Sequence, residues 1–214
     1  MTFIIVVVGW IFSLCLHEFA HALVAYRGGD WTVREKGYLT FNPLKYTDPL
    51  MSIVLPLLFL ALGGIGLPGG AVYIETWRLR SRGWQSAVSI AGPSMNVLVA
   101  LVLAVLLQIP AVGKSAAAPG LSFLAYLQIT AAVINLIPLP PLDGYGILAP
   151  YLSPNLQMVM AQVGRYSMWI LLLALWYVPF VSSAIFGTVA KITVGLGVDP
   201  TMVSKGFSGF QFWR

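Results

Sequence analysis

Long apolar runs separated by short polar connectors dominate this sequence. The runs at residues 3–26, 84–109, 121–142 and 156–180 are each long enough for a membrane-crossing helix. A helix over residues 3–26 would be about 36 Å long, whereas the hydrocarbon layer of a bilayer is about 30 Å thick. The pattern predicts an all-α polytopic membrane protein with about four to six transmembrane or membrane-embedded helices.

Two further runs are apolar but do not clearly span. Residues 50–67 are interrupted by one proline and three glycines, and a crossing there would strand the arginines at 78, 80 and 82 outside the cell. We therefore expect a re-entrant hairpin, because irregular backbone is tolerated at membrane depth when protein covers it. Residues 181–198 contain Lys191 and are weakly apolar. The sequence leaves open whether they cross the membrane or lie on its surface.

The connector after the first run is basic and has segments typical of strands. Residues 31–33, 38–41 and 70–74 have the β-branched and aromatic content of short strands. Lys and Arg are frequent in the connector at residues 27–49, whereas no charged side chain precedes Trp10. The positive-inside rule then predicts that the first helix runs towards the cytoplasm, with a small β element on the cytoplasmic side.

The expected organisation is one membrane-embedded domain over residues 1–214. The first apolar run lacks the basic flank and cleavage site of a signal peptide, so we expect it to be retained. We expect a core over residues 3–155, with helices at 3–26, 84–109 and 121–142 and a re-entrant and β region at 27–83, followed by C-terminal helices over 156–198.

Composition supports a membrane protein and argues against nucleic acid as a partner. The chain is 58% hydrophobic and 9% charged, which lies outside the range of soluble globular proteins. Its net charge of +5 comes from residues in short connectors, where they set topology. Cys15 is the single cysteine, so no internal disulfide forms.

A His-Glu-x-x-His motif lies inside the first apolar run. His17 and His21 are the two histidines of the chain. Residues i and i+4 share a helix face, so both imidazoles can bind one metal ion while Glu18 reaches an attacking water. This arrangement is typical of a zinc hydrolase. The simpler interpretation, two neutral core histidines, would leave the Glu18 carboxylate buried without a partner, at a cost of several kcal/mol.

A catalytic zinc site needs a third protein ligand and one open position. The chain has seven Asp and Glu residues. Asp143 lies where three prolines break the run at 121–142, at about the depth of His17. A helix cap is the simpler role for Asp143, but we expect it to complete a site for one Zn²⁺ per chain. The other acidic residues outside the motif lie in connectors or tails: Asp30, Glu35, Asp48, Glu75 and Asp199.

The sequence around these residues resembles the site-2 protease family of intramembrane zinc metalloproteases. The resemblance rests on HEFAH in the first run, AGPSMN at residues 91–96 and N-x-x-P-x-P-x-L-D-G at residues 135–144. It extends over roughly residues 10–150, and residues 37–49 are similar to a connector of compact prokaryotic members. Tyr46 stands where those relatives often have histidine. We expect neither the additional first helix nor the PDZ or CBS domain of other members.

The resemblance implies cleavage of a peptide bond within or beside a transmembrane helix of the substrate. The substrate would be a single-span membrane protein or a signal-peptide remnant, and the enzyme would lie in a prokaryotic plasma membrane as a multi-pass protein with its active site towards the cytoplasm. The oligomeric state stays open. The implied site has His17, His21 and Asp143 as zinc ligands, Glu18 as general base, and Asn96 and Asn135 near the substrate. For both asparagines the alternative is hydrogen bonding between helices.

A helical substrate must unwind before its carbonyls can be attacked, because they are engaged in helical hydrogen bonds. We expect Val72 and Tyr73 to pair with the extended substrate by β-augmentation. The alternative is that this segment pairs only within its own small sheet.

Two other function classes are compatible with the motif. A membrane protein that binds or transports metal would have little need for Glu18 beside the ion. A prenyl-protein-processing protease is a poorer match, since that type uses a downstream glutamate as third ligand and no glutamate follows Glu75 here.

Overall fold

The computed structural model describes residues 1–45 and 72–211. Within these ranges the regular secondary structure is helical, as the apolar runs predict. The α-helices are α1 (Thr2–Gly28), α2 (Thr32–Glu35), α3 (Arg82–Gln108), α4 (Pro110–Gly113), α5 (Ala118–Asn135), α6 (Asp143–Leu148), α7 (Pro154–Tyr177), α8 (Pro179–Gly195) and α9 (Pro200–Phe210). Short 3₁₀ turns lie at Pro43–Lys45, Thr76–Arg78 and Ala149–Tyr151.

The centre of the molecule is formed by α1, α3 and α5, which pack against one another. Four helices in the described part of the chain are long and apolar enough to cross a membrane: α1, α3, α5 and α7. The bent pair α8 and α9, at 118° to each other, would make a fifth if it counts as one span. Of the four, α5 is the most buried and α7 the least, with 78% and 22% of the apolar window covered by protein. The helix that ends at Asn135 is therefore the structural centre.

Small and apolar side chains hold these helices together. Val6 and Trp10 on α1 pack with Leu124 and Ala125 on α5 and with Phe210 on α9. All five are buried, so this cluster excludes solvent from the interior between the helices. It fixes α1 against α5 two turns before the His-Glu-x-x-His motif.

A buried carboxylate organises the chain beyond α1. Asp30 is fully buried and accepts hydrogen bonds from the backbone N–H of Thr32 at 3.1 Å and from its hydroxyl at 2.6 Å. It also accepts from the backbone N–H of Glu75 at 2.8 Å. Three donors satisfy this carboxylate. Asp30 thus ties the segment after α1 to the segment before α3.

The expected strands are not found among the described residues. Thr32–Glu35 is a helical turn, so a strand at residues 31–33 was a wrong prediction. The carboxylate of Asp30 accepts a hydrogen bond from the backbone N–H of Thr32, and this local bond outweighs the β propensity of the segment. Residues 38–41 and 72–74 have neither helix nor strand assignment. The re-entrant hairpin expected at residues 50–67 lies outside the described residues.

The third long helix ends earlier than its apolar run predicts. α5 stops at Asn135, and residues 136–142 form turns that contain a cis bond between Pro140 and Pro141. Proline has no N–H to continue a helix, which explains the early stop. A Cβ on Gly144 would lie 2.2 Å from the backbone oxygen of Leu136. The turn is therefore too tight for any residue but glycine, and it folds Asp143 back to begin α6.

The C-terminal part contains more helix than expected. Residues 181–198 largely form α8, which packs on α5 and α7, and α9 follows at Pro200–Phe210. Asp199 caps α9, because its carboxylate accepts from the backbone N–H of Thr201 at 2.8 Å. The Asp199 cap and the contacts of Phe207 and Phe210 with Phe123 stabilise this helix, which was not predicted from the sequence.

Candidate metal centre and active site

The two histidines of the motif lie on one face of α1 and meet Asp143 from α6. The Nε2 atoms of His17 and His21 are 3.0 Å apart. Each Nε2 is 3.3 Å from a carboxylate oxygen of Asp143, His17 from Oδ2 and His21 from Oδ1. One ligand atom from each residue lies within 4.8 Å of the others. Helix α1 and the turn after α5 therefore bring the ligand atoms of His17, His21 and Asp143 close together.

Both imidazoles are oriented by a hydrogen bond on the opposite ring nitrogen. His17 Nδ1 is 2.5 Å from Oδ1 of Asn96, and His21 Nδ1 is 2.7 Å from the backbone oxygen of Val88. Oxygens of this kind only accept, so each Nδ1 donates its proton. In the neutral imidazole each Nε2 is then unprotonated, and its lone pair faces the other Nε2 and the carboxylate of Asp143. This electron-rich set fits a cation, and two His nitrogens with one carboxylate are a common catalytic zinc set.

Gly92 of α3 leaves the space that an ion would need. A Cβ on Gly92 would lie 2.2 Å from Nε2 of His21 and 2.4 Å from Nε2 of His17. Any side chain here would therefore fall among the ligand atoms. The donor set and this cradle together show that the residues present suit a zinc ion.

Glu18 lies beside the ligand atoms and is 2% exposed. Its Oε2 accepts a hydrogen bond of 3.1 Å from the backbone N–H of Val72. The carboxylate is thus held by a neighbouring segment of backbone. The sequence predicts that Glu18 would be buried without a partner in the absence of metal, whereas the structure gives it this backbone donor.

A cavity of about 500 Å³ opens on these groups. It is mostly apolar, with Met168 and Leu14 among its walls. All the site residues predicted from the sequence line it: His17, Glu18, His21, Val72, Tyr73, Asn96, Asn135 and Asp143. Val72 and Tyr73 reach it from the non-helical stretch before α3, and Asn135 from the last residue of α5. The structure brings these residues together, and the role of each stays a prediction.

Three other acidic residues of the described chain, Asp30, Glu75 and Asp199, have partners of their own. Glu75 pairs with Arg78 at 2.6 Å and with Lys36 at 3.0 Å. The hydrogen bonds from Arg78 and Lys36 lower the pKa of Glu75 to about 2. Asp30 binds backbone groups and Asp199 caps α9. These three carboxylates are therefore engaged elsewhere, whereas Asp143 meets the histidines.

Sequence reasoning missed Gln128 and Gly92. Gln128 on α5 is fully buried and hydrogen-bonded to Asn96. An amide inside the apolar run at 121–142 is itself a signal, because polar groups within a membrane helix face protein rather than lipid. Gly92 offers no such signal, since only the three-dimensional packing shows what a Cβ would meet.

The chain is similar to bacterial proteins whose names describe a protease. The chain is 44% identical to Rip2 of Mycolicibacterium smegmatis, and the alignment covers 99% of this chain and 81% of Rip2. It is 42% identical to Rip2 of Mycobacterium tuberculosis over the same shares of both chains. YwhC of Bacillus subtilis is 35% identical over 81% of this chain and 80% of its own. The names of all three describe candidate zinc metalloproteases.

The chain belongs to the site-2 protease family. It is an intramembrane zinc metalloprotease with Zn²⁺ as its cofactor, as the relatives and the convergence of His17, His21 and Asp143 both indicate. A search of protein-family models finds no match, and no solved structure matches the chain. The expected family membership, enzyme class and cofactor are confirmed.

Proposed function

We propose that His17, His21 and Asp143 hold the zinc ion and that Glu18 is the general base of peptide hydrolysis. The observation that carries this assignment is the convergence of the Nε2 atoms of His17 and His21 on the two carboxylate oxygens of Asp143, with Glu18 lining the same cavity. Zinc supplies Lewis acidity, which makes water a stronger acid and polarises a carbonyl. Glu18 takes the proton of the attacking water and passes it to the leaving amine.

The proposed substrate is a single-span membrane protein or a signal-peptide remnant, cut within or next to its transmembrane helix. The mostly apolar walls of the cavity suit side chains from such a helix. Backbone carbonyls in a helix are engaged in hydrogen bonds, so the substrate must be extended at the scissile bond. The helices α1, α3 and α5 around the cavity are themselves apolar enough to lie in a membrane.

Val72 and Tyr73 are proposed to bind the extended substrate through their backbone. They lie in a non-helical segment along the cavity, which supports this role. Two of their polar groups already have partners: Val72 N–H donates to Glu18, and the carbonyl of Tyr73 accepts from Nζ of Lys36 at 3.3 Å. Strand addition at this segment would exchange the first of these bonds for a bond to the substrate and free Glu18 for its role as base.

The two asparagines differ in what they can offer a substrate. Oδ1 of Asn96 accepts a hydrogen bond from Nδ1 of His17, and Nδ2 of Asn96 donates to Oε1 of Gln128 at 2.8 Å. One amide hydrogen of Asn96 is left for another acceptor. Asn135 lines the cavity at the end of α5 and is 5% exposed. We assign Asn135 the larger part in holding the substrate carbonyl, since Asn96 is already engaged with a zinc ligand.

The proposed location is the plasma membrane of a prokaryote, with several spans and the active site towards the cytoplasm. Support comes from the clustering of positive charge at one end of α1. The backbone N–H of Arg80 donates to the carbonyl of Gly28 at 2.9 Å, so the arginines at 78, 80 and 82 lie beside Arg27. Charges of this kind stay on the cytoplasmic side.

The test is co-expression with a panel of tagged single-span substrates. Wild-type protein is expected to cleave at least one of them, and Glu18→Gln is expected to lose cleavage while the purified variant keeps its zinc. A metal-binding or transport protein would behave differently, because Glu18→Gln would leave its function intact. Loss of zinc in Glu18→Gln would contradict the role of Glu18 as a base that does not bind the ion.

A further inference from the structure

A chain of buried hydrogen bonds leads from the metal site through three helices. His17 on α1 bonds to Asn96 on α3 at 2.5 Å, and Asn96 donates to Gln128 on α5 at 2.8 Å. Gln128 Nε2 then donates to the hydroxyl of Ser13 on α1 at 2.7 Å. The Ser13 hydroxyl donates to the backbone oxygen of Trp10 at 2.9 Å. Every side chain that forms these bonds is buried.

The far end of this chain fixes the direction of its bonds. The carbonyl of Trp10 can only accept, so the single hydroxyl hydrogen of Ser13 must point to it. The oxygen of Ser13 can then only accept, and the neighbour that faces it must donate. Gln128 must therefore turn its NH₂ group to Ser13 and its carbonyl towards α3.

The orientation of Gln128 in turn fixes the orientation of Asn96 and the tautomer of His17. Because the carbonyl of Gln128 faces Asn96, Asn96 must present its NH₂ group there and its Oδ1 to His17. His17 must then carry its proton on Nδ1, which leaves Nε2 free for the metal. With the Asn96 amide reversed, its NH₂ group would face Nδ1, and the proton would move to Nε2, where it would block ligation.

His21 needs no such chain. Its Nδ1 donates directly to the backbone oxygen of Val88, and a helix carbonyl cannot turn over. The amide of Asn96 has nearly the same shape in both orientations, so packing alone does not choose between them. The two histidines are therefore oriented by different means, and only His17 depends on more distant side chains.

We propose that Gln128 and Ser13 are positioning residues that set the tautomer of His17 through Asn96 and so make its Nε2 available for zinc. This inference rests on the proposed ligation of zinc by His17. Partners of this kind affect metal affinity by about 10-fold to 100-fold when they are removed. Neither residue touches the ligand atoms, so their effect must pass through Asn96.

The central experiment replaces Gln128 by methionine, which keeps the length of the side chain and removes both polar ends. Zinc affinity of the purified protein is measured by competition with a chelator, and the His17 tautomer of the zinc-free protein by ¹⁵N NMR of the imidazoles. We expect zinc affinity to fall about 10-fold to 100-fold and His17 to show a mixture of tautomers. Ser13→Ala should shift both readouts in the same direction by a smaller amount.

The matched control is Thr130→Val on the same helix. Thr130 is also buried, but its hydroxyl bonds to the carbonyl of Tyr126 within α5 at 2.8 Å. Loss of this hydroxyl should leave zinc affinity and the His17 tautomer unchanged. An equal loss in Thr130→Val would mean that general damage to α5 explains the result, and would overturn the proposal.

A rescue variant separates positioning from mere packing. In Asn96→Asp combined with Gln128→Met, the carboxylate offers an oxygen to His17 in either orientation. We expect this double variant to recover the Nδ1-protonated tautomer and most of the zinc affinity that Gln128→Met loses. Failure to recover either would count against the proposal, and so would a Gln128→Met protein with wild-type affinity and one tautomer. If instead His17→Ala binds zinc as tightly as wild type, it is the proposed ligand set that fails.

Discussion

The backbone N–H of Val72 donates to Oε2 of Glu18 across 3.1 Å, which links the non-helical segment before α3 to the proposed base. Glu18 is 2% exposed and Val72 is half-buried, so this bond is partly shielded from water. A substrate that pairs with the segment must take over the donor.

Val72→Pro tests this relationship, because proline removes the N–H and disfavours strand addition. We expect cleavage of a tagged substrate to fall at least about 10-fold, since the hydrogen bond from the Val72 N–H to the substrate, worth about 1 kcal/mol, and the docking of the extended substrate strand are both lost. Zinc content should stay at the wild-type level. Val72→Ala keeps the N–H and serves as the matched control. Cleavage that is equal in the proline and alanine variants would refute the role of this backbone segment.

Gly92→Ala should abolish or strongly weaken zinc binding. The added Cβ would lie 2.2 Å and 2.4 Å from the Nε2 atoms of His21 and His17, where the proposed zinc ion would bind. Alanine is the better helix former by about 0.5–1 kcal/mol, so helix stability would not explain a loss.

The control for Gly92→Ala is Gly187→Ala in α8, where a Cβ meets no atom within 4 Å. Metal analysis of both purified variants should show zinc missing from the first and retained by the second. Stoichiometric zinc in Gly92→Ala would show that the ion lies elsewhere.

Asp143→Asn is expected to lower zinc affinity by at least about 10-fold, because it exchanges an anionic ligand for a neutral amide. The control is Asp199→Asn, which also removes one negative charge. Asp199 caps the start of α9 and is not one of the proposed ligands. Chelator competition measures both. Comparable affinity in the two variants would argue that Asp143 is not a ligand.

The ion pairs of Glu75 should make the segment before α3 sensitive to acid. The pKa of Glu75 falls from its ordinary 4.5 to about 2, because Arg78 and Lys36 donate to its carboxylate. A carboxylate with a depressed pKa stabilises the folded segment above the ordinary value, and this contribution is lost as the pH falls from 4.5 to about 2.

Hydrogen exchange at residues 72–79 can follow this loss across the pH window. Exchange, corrected for its intrinsic pH dependence, should rise as Glu75 becomes protonated. In Glu75→Gln the segment should exchange faster than wild type at neutral pH and show less of the acid step. A step of the same size in Glu75→Gln would assign it to another group.

Much of the helical part of the fold can be predicted from the sequence. The run at residues 3–26 is long and continuous, so α1 begins and ends within two residues of its predicted bounds. Asp143 could be singled out because few acidic residues exist and only this one follows a proline-broken apolar run. The length of an apolar run and the prolines that interrupt it are local features of the sequence, and both determine where these helices end.

Other features depend on contacts between distant residues. Thr32 became helical because Asp30 binds it, although its neighbours favour strands. The bond between Val72 and Glu18 joins residues far apart in the chain and has no sequence pattern. Gln128 was visible as a polar residue in an apolar run, but its partners on α1 and α3 follow only from how the three helices pack.

The placement of the proposed ligands in two distant parts of the chain would also make a bound zinc ion a cross-link. His17 and His21 belong to the first helix, whereas Asp143 follows the tight turn after α5. An ion bound to all three joins these parts much as a disulfide would, and it stabilises only the state in which they meet. During synthesis the proposed site cannot form until Asp143 has emerged and met the histidines of α1. With this ligand set an incomplete chain would be a protease without its metal, and it would not cleave membrane proteins until the core has assembled.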